Sequence, residues 1–242
     1  MLRSLDELDN GFSKVFKESR EKCGDKLEEI RTLTYVSGHF FSSYWAFRRK
    51  HKTEIAWGHY LHHALLLELF RASGKILFLS SHGLYRNAYD EIRHVLESFI
   101  QAIYIDNRHS KSNLLTKIEI LKEVEEKREY RAQSLIHELV IGHKDKLGQQ
   151  YKELSGKIHP SYKEIATILR DIRRNQKEPV TVDCDEITNI YESMIKMYDI
   201  LFFLVFNHYP RLRNQMKKDK KFVATVRLYR LVLVAEAIDV RL

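Results

Sequence analysis

An all-α helical bundle of about seven to nine helices, several of them long and antiparallel, is predicted by three features of the sequence. Turn-forming residues are scarce, with 3 Pro and 9 Gly in 242 residues, whereas strand-rich folds need frequent turn chemistry. Apolar residues recur at helical spacing through most of the chain. A hydrophobic content of 44% is enough for one large core. We expect a single helical domain over 1–242, with a core bundle at roughly 25–209, an N-terminal helix at 3–21 and a basic helical segment at 211–240 packed on it.

Residues 3–21 form a charged helix carrying Leu5, Leu8, Phe12, Val15 and Phe16 at helical spacing. Cys23-Gly24-Asp25 supplies a break and an N-cap. A second helix then runs from about Asp25 to Lys50, with Ile30, Leu33, Phe40, Tyr44 and Phe47 on its apolar side. The run Arg48-Arg49-Lys50-His51-Lys52 places cations at the negative end of that helix; phosphate binding is the alternative use of the same charges. Thr53 opens a third helix that continues to about Ser81. Its His59 and His63 stand one turn apart, a spacing open to metal ligation, but no HExxH context accompanies them and no further ligand can be named. No metal site is expected.

After Ser81-His82-Gly83, the stretch from Leu84 to Tyr104 reads as an amphipathic helix ending near Asp106. Arg86, Asp90, Arg93, Glu97, Gln101 and Tyr104 fall in one arc, with Ala88, Ile92, Val95, Phe99 and Ile103 opposite. Two readings of this polar stripe stand. Its charges form i,i+3 and i,i+4 ion pairs on an open face, worth roughly 0.2–0.5 kcal/mol each, or they turn into a groove where Arg93 and Glu97 position a phosphate or a catalytic group.

Asn107 to Asn113 is a polar loop. A long charged helix follows from Leu114 to about Ile141, with Leu115, Ile118, Leu121, Val124, Leu135, Ile136 and Leu139 as its buried side and KEVEEKREYR against solvent. Lys144 to Ser155 forms a shorter helix. Pro160 fits the first turn of another that includes Ile165, Ile168, Leu169 and Ile172. Arg173 to Asp185 is the least ordered stretch by composition. Asp183 or Asp185 then caps a helix whose second half, Met194 to Phe206, is apolar all round and belongs at the bundle centre. Pro210 closes it. The final segment is broken around Lys217 to Lys221.

Charge is unevenly placed. Between Asn207 and Leu242 nine Lys or Arg face three acids, so this end holds about six of the net +8. A concentrated positive field suits a polyanion or an acidic protein surface, and Arg211, Arg213, Lys217, Lys218, Lys220 and Lys221 are the candidate nucleic-acid contacts. A solvated basic helix explains the same charges without a ligand. Cys23 and Cys184 lie far apart and form no CxxC pair. A disulfide is not expected, which fits a reducing cytosol. Met1 to Arg20 lacks the apolar stretch of a signal peptide. The longest apolar run, Ile200 to Phe206, is far short of the roughly 20 residues of a membrane span. These points predict a cytoplasmic protein without membrane contact.

P-loop, GxGxxG, GxSxG and EF-hand motifs are absent, and paired ExxH motifs for a di-iron site are absent too. No cofactor is expected. The step GLYRNAYDEIRHVLESFIQAIY, a long charged helix and then LSGKIHPS together resemble the HEPN superfamily and HEPN-like helical families of prokaryotic defence loci, over roughly Gly83 to Ile172. That resemblance implies a helical bundle, a homodimer, and RNA or protein binding in a defence or toxin setting, with metal-independent ribonuclease activity in many members. The family motif is Arg, four to six residues, then His. Counting back from His159, no arginine stands at that spacing, Lys152 being the nearest cation, whereas Arg131 and His137 satisfy it.

On that resemblance Arg93, Glu97, His159, Arg131 and His137 are the candidate catalytic residues. His159 or His137 would act as general acid or base, and an arginine would stabilise charge on the phosphorane. The alternative is a non-catalytic scaffold whose basic C-terminal segment engages an acidic partner.

Overall fold

The computed structural model describes residues 5–51, 60–126, 132–139, 143–158 and 182–242. Among them are ten helices and no strand, so the all-α class holds with one helix more than the upper expectation. They are α1 (Leu5–Lys50), α2 (His62–Ser81), α3 (Tyr85–Arg108), α4 (Leu114–Glu126), α5 (Ala132–Glu138), α6 (Lys144–Ile158), α7 (Cys184–His208), α8 (Pro210–Lys218), α9 (Lys220–Leu228) and α10 (Val232–Ile238).

α7 is the axis of the fold. From Met197 to Phe206 every residue is buried, as an all-round apolar helix requires. Phe40 of α1 stacks on Phe202 with ring centroids 3.9 Å apart, and Phe206 meets Phe222 of α9 edge-on at 5.8 Å. The helix starts where expected, with the Asp183 carboxylate accepting from the Asp185 and Glu186 amides at 2.9 and 3.1 Å. The one acid in its buried half, Asp199, also has a reason. It accepts the Leu233 and Val234 amides at 3.0 and 2.9 Å, so it seats α10 on the core.

Around α7 the long helices run antiparallel. Phe16 near the start of α1 stacks on His82 just past the end of α2, while Gly38, further along α1, approaches Phe70 in the middle of α2. Gly83, at φ 70°, makes the turn from α2 into α3, a backbone state that favours glycine. The expected break at Cys23 is present as a kink inside α1, with φ −126° and ψ 24° at that residue. In the C-terminal segment the break falls at Asp219, whose carboxylate caps α9 by accepting from Lys221 and Phe222.

Two expectations need correction. Cys23 and Cys184 are bonded as a disulfide across 161 residues, because the kink of α1 packs beside the start of α7; distance in sequence was no measure of distance in space. The inward face of α4 is also different. Leu115 is 74% exposed and Ile118 is exposed too, while Lys117 is fully buried between Leu114 and Leu121 along the inner face. Lys117 turns inward because a buried carboxylate awaits it. Of the basic run that ends α1, Arg48 is buried, with its guanidinium 4.8 Å from the Trp45 ring centroid, whereas Arg49 and Lys50 face solvent. Thr53, His59, Arg131 and the segment from His159 through Ile172 lie outside the described residues. Among the described residues, no helix is long and apolar enough to cross a membrane.

Candidate functional site

Two polar clusters stand out, one anticipated and one not. The anticipated one lies on the stripe of α3, which is graded along its length. Arg86 and Asp90 are exposed, Arg93, Glu97 and Gln101 are half-buried, and Tyr104 is buried. Neither simple reading of the stripe covers it all, since its first turns face water and its later turns are covered by α5 and α6.

Arg93 Nε donates to Glu97 Oε1 at 2.8 Å, and the Tyr151 hydroxyl of α6 donates to the same oxygen at 3.0 Å. Glu97 thereby joins two helices and fixes the guanidinium plane at the seam between them. Burial and the neighbouring Glu97 push the Tyr151 hydroxyl up to about 12, so it acts there as a donor. The Arg93 side chain keeps 37% of its surface exposed, within reach of an anion from solvent.

The other candidate catalytic residues do not gather at this point. His137 is exposed on α5, and its neighbour Glu138 accepts from Tyr104 and Arg108, each at 3.0 Å. Tyr104 lies seven residues beyond Glu97, about 10 Å along the helix. Arg131 and His159 lie outside the described residues. α6 runs to Ile158, so the chain continues toward His159 from the same helix that holds Tyr151. The cations of the C-terminal segment are at the surface, with Arg211, Lys217, Lys218, Lys220 and Lys221 exposed and Arg213 half-buried.

The unanticipated cluster surrounds Asp106, which is fully buried. Its carboxylate accepts the Leu61 and His62 amides at 3.0 and 3.2 Å, the His62 ring Nδ1 at 2.6 Å and the Lys117 ammonium at 3.0 Å. α2 has no side-chain cap of its own at Leu61, so Asp106 of α3 caps it from outside. Burial alone would raise this carboxyl, but hydrogen bonds from His62, Leu61 and Lys117 outweigh it and hold the group below its usual range.

From His62 the contacts continue. Its Nδ1 carries a proton because the facing carboxylate can only accept. The Tyr209 hydroxyl lies 2.9 Å from His62 Nε2 and 2.9 Å from His63 Nε2. The hydroxyl carries a single proton, so it donates to no more than one of the two ring nitrogens and accepts from its other partners. Tyr44 and Tyr60 close around this group, and the Lys117 ammonium sits 4.9 Å from the Tyr60 ring centroid. Four helices meet here.

The order carboxylate, imidazole, hydroxyl is that of a nucleophilic relay, but the chemistry is wrong for one. Tyr209 is buried, and burial with Tyr44 beside it drives its hydroxyl far above the usual tyrosine range, the opposite of an activated nucleophile. The cluster is a lock between helices. Among the described residues, no group of three or more His, Cys, Asp or Glu is arranged to hold a metal, and His63 is engaged with Tyr209.

Sequence reasoning passed over this cluster, although a signal existed. Asp106 falls on the apolar face of α3, seven residues after Phe99, and Lys117 falls on the apolar face of α4 between Leu114 and Leu121. Opposite charges on the inward faces of consecutive helices announce a buried pair.

The lock is sensitive to acid. Burial, with His62 and Arg48 adding to it, pushes His63 down to about 2, and burial with His62 beside it pushes His208 to about 3. A depressed imidazole binds its proton more readily in the unfolded chain. Its stabilisation is therefore full above the ordinary value near 6.5 and is lost as pH falls from there. Taking His63 at full weight, and His208 at less because its ring edge reaches solvent, we expect stability to drop by about 2–3 kcal/mol between pH 7 and pH 5. Asp199, whose carboxyl burial raises, works in the other direction. Urea unfolding at a series of pH values measures the slope, and His63→Phe should flatten it.

No family model matches the chain, and no curated protein or solved structure matches it.

Proposed function

We propose that this is a HEPN-like helical protein that binds RNA through the cationic face of α8 and α9, in a defence or toxin setting. The observation that carries the reading is the arrangement of these two helices. Leu212 and Met216 of α8 and Phe222 and Val226 of α9 face the core, so Arg211, Lys217, Lys218, Lys220 and Lys221 are held on the outside of packed helices. Asp219, the acid between the lysine pairs, is turned to cap α9 and to meet His39 at 3.2 Å. These exposed cations, of which Lys217 also meets Asp239 at 3.1 Å, suit a phosphate backbone and carry no base readout. An RNA ligand points to the cytoplasm as the place of encounter.

The test is binding of labelled single-stranded RNA by the wild type and by the Lys217→Gln, Lys218→Gln, Lys220→Gln, Lys221→Gln quadruple variant. Affinity is expected to fall at least tenfold, in keeping with the loss of several phosphate contacts, with unchanged helical circular dichroism. An acidic polypeptide that binds where RNA does not would assign the face to an acidic protein partner instead.

A second reading, ribonuclease activity, is favoured by the part-exposed Arg93 held by Glu97 and Tyr151. An arginine fixed at a helix seam can stabilise a phosphorane. On this reading purified protein cleaves labelled RNA without added metal, and Arg93→Ala together with His159→Ala abolishes cleavage. Cleavage that survives both substitutions removes it.

A further inference from the structure

Tyr35 lies on the solvent side of α1, opposite the core-facing row of Ile30, Leu33, Phe40 and Tyr44, and it is 67% exposed. On the next turn its two neighbours are Gly38 and His39, three and four residues on. Each connects it to a different helix. The Phe70 ring of α2, 41% exposed, comes within 3.2 Å of the position a Cβ would take at Gly38, so the glycine admits that ring close to α1. His39 Nε2 lies 3.2 Å from Asp219 Oδ2, at the junction of α8 and α9. Phe70, Tyr35 and His39 therefore form a line of rings across the outside of α1, leading from α2 to the middle of the lysine row.

The line is held in place against those lysines. Phe40, the residue after His39, meets Phe222 of α9 with ring centroids 6.0 Å apart, so α1 and the first turn of α9 are packed together at this level. Tyr35 stands one helical turn from the residue that touches the row. The acids here are already engaged, Asp219 with His39 and the Phe222 amide and Glu28 with Arg31. Exposed rings beside exposed cations are the two parts that single-stranded nucleic acid uses: the cations track its phosphates and a ring offers its face to an unstacked base. A duplex can use the cations, but its base faces are hidden in the stack.

We infer that Tyr35 is a stacking platform for an unpaired base, extended by Phe70, so that the ligand is a single strand that crosses α1 beside the lysine row. This rests on the reading of α8 and α9 as an RNA-binding face, and adds to it the class of RNA and a contact that is not electrostatic.

Fluorescence anisotropy of the full chain with a labelled, unstructured single-stranded RNA and with an RNA duplex of the same length tests it. The single strand is expected to bind more tightly. Tyr35→Ala should weaken single-strand binding about fivefold or more, the size of one lost base stack, and leave the weaker duplex binding and the dependence of affinity on salt unchanged, because no phosphate contact is lost. Tyr35→Phe keeps the ring and should bind as the wild type does. Single-strand binding that Tyr35→Ala leaves intact overturns the inference while the cationic face stands. So does an equal loss on strand and duplex, or a Tyr35→Phe variant as weak as Tyr35→Ala, which would assign the contact to the hydroxyl. A wild type that binds no RNA overturns both readings.

Discussion

Asp106→Ala is expected to lower the free energy of unfolding by about 3–5 kcal/mol, the cost of leaving a buried charge without its partner. The substitution strands the Lys117 ammonium, fully buried on α4, and leaves the His62 ring and the first two amides of α2 without their acceptor. Each is a group that water satisfies in the unfolded chain and whose carboxylate partner the substitution removes in the folded one. Urea unfolding of the two proteins measures the difference. Lys117→Met should cost less, since the carboxylate keeps its bonds from His62 and Leu61 and a methionine fills most of the lysine volume. A loss below about 1 kcal/mol for Asp106→Ala, the size of an ordinary exposed pair, would mean that the four contacts do not hold the helices together.

Cys184→Ser is the second large effect. The bond closes a loop of 161 residues, and cross-links over loops of this length stabilise by about 2–5 kcal/mol, largely by restricting the unfolded chain. It fastens the kink of α1 to the first residue of α7, so its loss also releases the one point where α1 leaves helical geometry. Thermal unfolding with and without reductant should show the same drop as Cys184→Ser, and the variant should be insensitive to reductant. Identical midpoints under both conditions would show that the cysteines are not joined in solution. The expectation of a cytosolic protein and the presence of this bond pull in different directions, because thiols in a reducing compartment stay reduced. An encounter with RNA in the cytoplasm would therefore involve the more loosely fastened, reduced chain.

Much of the fold was legible in the sequence because it depends on local chemistry. Scarce glycine and proline, the cap at Asp183, the break at Cys23 and the apolar run through Phe206 each act within one or two turns, and each reappears in the structure. What escaped depends on which helices meet. Leu115 and Lys117 are two residues apart, and side-chain polarity alone favours turning the leucine inward, although the spacing of Leu114, Leu121 and Val124 puts position 117 on the inner face. The Asp106 carboxylate on a different helix decides for the lysine. The disulfide escaped for the same reason, since its partners become neighbours only once α1 and α7 have packed. Of the candidate site, the Arg93–Glu97 pair was legible as an i,i+4 step, whereas Tyr151 on α6, which fixes it, was not.

The most direct measurement of the proposed function is the salt dependence of RNA affinity. With the five exposed cations Arg211, Lys217, Lys218, Lys220 and Lys221 facing phosphates, the logarithm of the association constant should fall against the logarithm of salt with a slope of about −3.5, at roughly −0.7 per contact on a single strand. Absence of binding at low salt, or binding that salt leaves unchanged, would contradict the account.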